Sequence, residues 1–77
     1  MAETREEIVA MIREYARVNM DECSAGVLGD PILRGHSMTS ENAALSEAMQ
    51  LQSTIHSSKY HAAKDILSLM GEDTSDM

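Results

Sequence analysis

The sequence predicts an all-α fold: a helical hairpin with a long C-terminal helix, dimerising into a four-helix bundle. Three observations lead there. Apolar residues recur at steps of three and four in both halves of the chain. The only proline and three of the four glycines fall together between those halves, at Gly26, Gly29, Pro31 and Gly35. The second half also carries two apolar stripes side by side, which is more than one neighbouring helix can cover.

The first helix is expected over about residues 5–24. Thr4-Arg5-Glu6-Glu7 reads as a capping box, with Thr4 accepting from the backbone of Glu7 and Glu7 reaching back. Acids in the first turn also suit the positive end of the helix dipole. Ile8, Met11, Ile12 and Tyr15 then mark the expected core face, which continues through Asn19 and Cys23. Arg13, Glu14, Arg17 and Asp21 fall on the other side.

Residues 26–38 are expected to form a turn-rich connection. Pro31 has no N–H to donate, and it pushes Asp30 before it towards extended geometry. Val27, Ile32, Leu33 and Met38 would pin the connection to the core.

The second helix is expected over about residues 39–70, a span free of Gly and Pro. Thr39 or Ser40 can cap its start, and Gly71 stands where a C-terminal glycine belongs. One stripe runs through Ala44, Ala48, Leu51, Ile55, Ala62, Ile66 and Leu69. It holds its phase over about seven turns, which favours one helix; the alternative is a break within 53–58, where Ser and Thr cluster. A second stripe lies beside it: Leu45, Met49, His56, Tyr60, Ala63 and Leu67. Helix one can cover one stripe, and the other needs another chain. Leu45, Met49, His56, Tyr60 and Leu67 are therefore the candidate dimer or partner interface. Residues 1–71 make a single helical domain, followed by an acidic tail, 72–77, expected to be disordered.

Charge narrows the function. Thirteen acids against six bases give a net charge of −7. The basic footprint that holds phosphate backbones is missing, so direct nucleic-acid binding is not expected. Glu3, Glu6, Glu7 and Glu14 form a candidate acidic partner surface, either a solvated face or an imitation of DNA. No apolar run is long enough to span a membrane, and the opening MAETREE is no signal peptide. A single cysteine, Cys23, can form no internal disulfide, and the expected setting is the cytoplasm.

Candidate chemistry is sparse. Gly35-His36-Ser37-Met38-Thr39 approaches the GxSxG nucleophile elbow but lacks the last glycine and the large sheet an elbow requires. His56 and His61, five residues apart, point about 140° away from each other on a helix, which does not suit a shared metal. His61 and Asp65 are spaced for a local pair. His56 among apolar neighbours reads as a buried, hydrogen-bonded histidine. Asn19 in a helical seam reads as a register-setting residue or an exposed one near the helix end. The sequence thus predicts no catalytic residue, cofactor or metal site, and a non-enzymatic acidic regulator that binds itself and a partner protein. The alternative is a phage-type inhibitor or DNA-mimic decoy that blocks a host nucleic-acid-binding or defence complex.

Met38-Thr39-Ser40, then Leu51, Tyr60 and Ile66-Leu67-Ser68-Leu69-Met70, with Ile32-Leu33-Arg34-Gly35 before them, resembles the small enterobacterial biofilm and acid-resistance regulators, the connectors of two-component phosphorelays. The resemblance covers about residues 26–71 and consists mostly of apolar spacing. Gln52 stands where that family has an acid, the Leu28-Gly29-Asp30-Pro31 stretch shortens the first helix, and the Leu51–Tyr60 spacing is compressed. The resemblance implies a helical dimer acting by protein contacts on a signalling protein, with no catalytic residues.

Overall fold

A computed structural model describes residues 4–77 of the chain. Two helices form an antiparallel hairpin: α1, Arg5–Leu28, and α2, Ser40–Leu69. The described residues contain no strand. α2 is one continuous helix, with no break in the Ser/Thr-rich stretch. The Thr54 and Ser58 hydroxyls there donate to the carbonyls of Gln50 and Thr54, four residues back, so their polar groups are satisfied without leaving the helix.

The caps follow from local chemistry. The Thr4 hydroxyl accepts from the Glu7 N–H at 3.2 Å and the Glu7 carboxylate accepts from the Thr4 N–H, which completes the capping box. Thr39 caps α2 by accepting from the Asn42 N–H at 3.1 Å. At the far end Gly71 takes φ +81°, and the N–H groups of Gly71 and Glu72 reach the carbonyls of Ser68 and Leu67. This is a Schellman closure, and it needs a residue without a Cβ at that backbone angle.

α1 runs four residues further than the sequence predicts, through Gly26 to Leu28. Gly26 breaks nothing because α2 packs closely against it. A Cβ there would lie 2.9 Å from the Met49 carbonyl oxygen and nearer still to Ser53 Oγ. The stop comes at Gly29, and Asp30 opens a single helical turn. Its Oδ1 accepts from the N–H groups of Ile32 and Leu33, with Pro31 in the first position of the turn, where no donor is wanted. The turn ends with Gly35 at φ +83° and the His36 N–H on the Pro31 carbonyl.

The helices meet along a seam with alternating steps of three and four: Val9, Ile12, Ala16, Asn19, Cys23 and Gly26 on α1, and Ser46, Met49, Ser53, His56, Tyr60, Ala63 and Leu67 on α2. That period of 3.5 is the coiled-coil one. The 72–77 segment does not trail away as the sequence predicts. It turns back beside α1, where Arg13 pairs with the Asp76 carboxylate at 3.3 Å and donates to the Asp73 carbonyl at 2.7 Å. Met77 packs on the Ala16, Tyr60 and Ala63 cluster.

Candidate functional site

Geometry reassigns the two stripes of α2. Of the candidate interface residues, Tyr60 and Leu67 are buried within the chain, and Met49 and His56 are half-buried in the hairpin seam. Only Leu45 is exposed. The stripe that α1 covers is therefore the one the sequence assigns to another chain. The other stripe stays open: Leu51, Ile55, Ile66 and Leu69 are all exposed.

A partial exchange occurs on α1. Of the expected core face, Ile8, Met11 and Tyr15 are exposed, Ile12 and Cys23 are half-buried in the seam and Asn19 is buried, while Val9, Ala16 and Gly26, outside that face, are buried as well. The reason is steric and polar. Ala16 and Gly26 let the backbones approach, and the polar seam residues find partners across the gap. Ser53 donates its hydroxyl to the Cys23 carbonyl at 2.9 Å. His56 Nδ1 lies 2.7 Å from Asn19 Oδ1, and Asn19 Nδ2 donates to the Tyr15 carbonyl at 2.8 Å. Among the described residues no buried side-chain donor or acceptor lacks a partner. A seam of small and hydrogen-bonded residues outcompetes a greasier one because close backbone approach and satisfied polar groups both favour it.

The released apolar side chains gather on one face. Met11, Ile12, Tyr15, Ala62, Ala63 and Ile66 line a shallow groove of about 460 Å³ between the two helices. Ala10, Met11, Tyr15 and Val18, with Glu14 among them, extend this surface along α1. Exposure is substantial: 58% at Met11, 51% at Ile55 and 47% at Ile66. Gln52 tethers the helices on this side by donating to the Glu22 carbonyl and carboxylate.

The opposite face is polar and carries the tail. Arg13, Arg17, Met20 and Tyr60 border a hollow closed by Asp76 and Met77. The Arg17 guanidinium hydrogen-bonds Glu14 and holds its carboxyl below the usual range; Arg17 also donates to Asp21 at 2.9 Å. Glu7 is engaged in its cap. Glu6 is exposed in the first turn of α1, and Glu3 lies outside the described residues. The candidate acidic surface is thus partly committed to contacts within the chain.

Asp30 is 1% exposed and forms no salt bridge among the described residues. The Ser46 hydroxyl, the N–H groups of Leu33 and Ile32, and Gln50 hold its carboxyl below the usual range against the cost of burial. It organises the connection between the helices. The elbow-like Gly35–Thr39 stretch leads into the α2 cap, where the Ser37 carbonyl accepts from Asn42 Nδ2 and the Thr39 N–H. His61 lies edge-on to Tyr60 with ring centroids 5.5 Å apart, and among the described residues it makes no ion pair with Asp65. No group of three metal-ligating side chains comes together among the described residues. No helix there is long and apolar enough to cross a membrane. Comparison with protein-family models, curated proteins and solved structures finds no match.

Proposed function

We propose that the chain is a non-enzymatic, acidic regulatory protein that works through protein contacts made by its open apolar face. One observation carries this reading. The side chains that amphipathic patterning marks as core, Met11, Tyr15, Ile55 and Ile66 among them, stand exposed on one side of the hairpin, and apolar surface of that extent on a small chain marks an interaction site. Glu14 and Glu22 stand beside this face, and the net charge of −7 supplies solubility. The resemblance to two-component connectors would suit such a mode of action, as would a cytoplasmic setting for the lone Cys23.

The alternative is a phage-type inhibitor or DNA-mimic decoy that uses Glu3, Glu6, Glu7 and Glu14. The first reading is favoured because Glu7 and Glu14 already serve the helix cap and Arg17. The test is paired capture from the native host with wild-type, Met11→Glu and Glu6→Lys/Glu7→Lys chains, each checked for helical content. The expected result is a partner retained by wild type and by the charge-reversed chain but lost by Met11→Glu. Loss on charge reversal alone would select the decoy.

A further inference from the structure

The hairpin is one layer thick, and a stable domain needs two layers around a shared core. The chain measures 52 × 27 × 14 Å, and its thin dimension hardly exceeds the roughly 10–12 Å diameter of one helix. Its radius of gyration is 16.3 Å, whereas a compact chain of this length has about 11.5 Å. It exposes 5478 Å², against about 4600 Å² for a compact monomer of its mass. The surplus of roughly 900 Å² matches the ~800 Å² that each partner gives up in an interface of standard size.

On the reading that the apolar face binds protein, we infer that its occupant is a second copy of this chain, stacked face to face so that Met11, Tyr15, Val18, Ile55, Ala62 and Ile66 become the core of a four-helix bundle. The area argues for this occupant. The surplus is of the size that one protomer buries in a standard two-chain interface, and an identical plate supplies the missing layer to both chains at once. Ala62 in the groove lets the plates approach closely, as an interior of native density requires. The dimer seam lies on a different stripe of α2 from the one the sequence selects: Tyr60 and Leu67 are consumed inside each protomer, and Ile55 and Ile66 meet the partner.

Sedimentation velocity of the full chain at high micromolar concentration tests the inference. The expected mass is twice 8.4 kDa. Ile66→Glu and Met11→Glu, which change exposed positions and so spare the hairpin, should keep their helical content and weaken association by at least about a hundredfold, because each would bury an unpaired carboxylate. Ser57→Glu, on the polar side, should dissociate no differently from wild type. A wild-type chain that sediments as a monomer overturns the second copy as occupant. The reading of the face as a protein-binding surface would then stand or fall on the paired capture. A dimer that survives both face variants places the interface elsewhere and overturns the inference as well.

Discussion

His56 Nδ1 lies 2.7 Å from Asn19 Oδ1, a polar side-chain pair that joins the two helices within the seam. Asn19 spends its amide N–H on the Tyr15 carbonyl, so its oxygen faces the imidazole and only an Nδ1–H can satisfy it. Neutral His56 is therefore expected in the Nδ1–H tautomer, which nitrogen-15 shifts of the ring report. Asn19→Ala should cost about 1–3 kcal/mol, because the imidazole is left without its acceptor. A double-mutant cycle with His56→Ala should recover a coupling of about 1 kcal/mol. An additive cycle in urea unfolding would show that the pair contributes nothing.

Gly26→Ala is expected to destabilise the hairpin even though alanine is the better helix former by about 1 kcal/mol. The new methyl would press on Ser53 Oγ and on the Met49 carbonyl oxygen, and the latter belongs to the backbone and cannot swing away. Overpacking of this kind costs about 1–3 kcal/mol. Thermal melts decide the sign. A higher melting temperature would mean that the helices can separate at no cost.

Asp30 makes stability depend on acid. Its carboxyl is held below the ordinary value of 3.8 by Ser46, the turn N–H groups and Gln50. The stabilisation is complete above that value and disappears as pH falls through the lowered one. Asp30→Asn should lower the melting temperature at neutral pH and flatten the acid limb of the stability profile. An acid limb as steep as that of wild type would assign the pH dependence to other carboxylates, Asp73 and Glu14 being the others held low.

Ending the chain after Glu72 keeps the α2 closure but removes the Arg13–Asp76 pair and the Met77 contact. The expected loss is about 1 kcal/mol, part of it screened by salt. Amide exchange along α1 near Arg13 should quicken at the same time. Unchanged exchange would show the tail to be a passenger.

The hairpin, both N-caps and the Gly71 closure are legible in the sequence because each rests on local chemistry: a hydroxyl three residues before a free N–H, a glycine after the last apolar step. The choice of seam is not. On α1 periodicity selects Ile8, Met11, Ile12 and Tyr15 and continues through Asn19 and Cys23; Ile12, Asn19 and Cys23 do lie in the seam, whereas Ile8, Met11 and Tyr15 give way to Val9, Ala16 and Gly26. A signal was present in the small residues spaced three and four apart, Ala16, Asn19, Cys23 and Gly26, opposite Ser46, Ser53 and His56. Their value lies in backbone proximity and cross-helix hydrogen bonds, which exist only once the partner helix is in place. For the same reason the tail could not be foreseen. Nothing in Glu72–Met77 reads as ordered until Arg13 is brought alongside Asp76.

Residue-by-residue oxidation with dilute peroxide, followed by mass spectrometry at low and high protein concentration, tests the central claim most directly. Met11 lies on the open face and Met38 on the connection, and both are exposed in the single chain. If the face is the surface that a second copy covers, Met11 becomes protected as concentration rises while Met38 oxidises at a constant rate. Equal oxidation of Met11 and Met38 at every concentration would contradict the account.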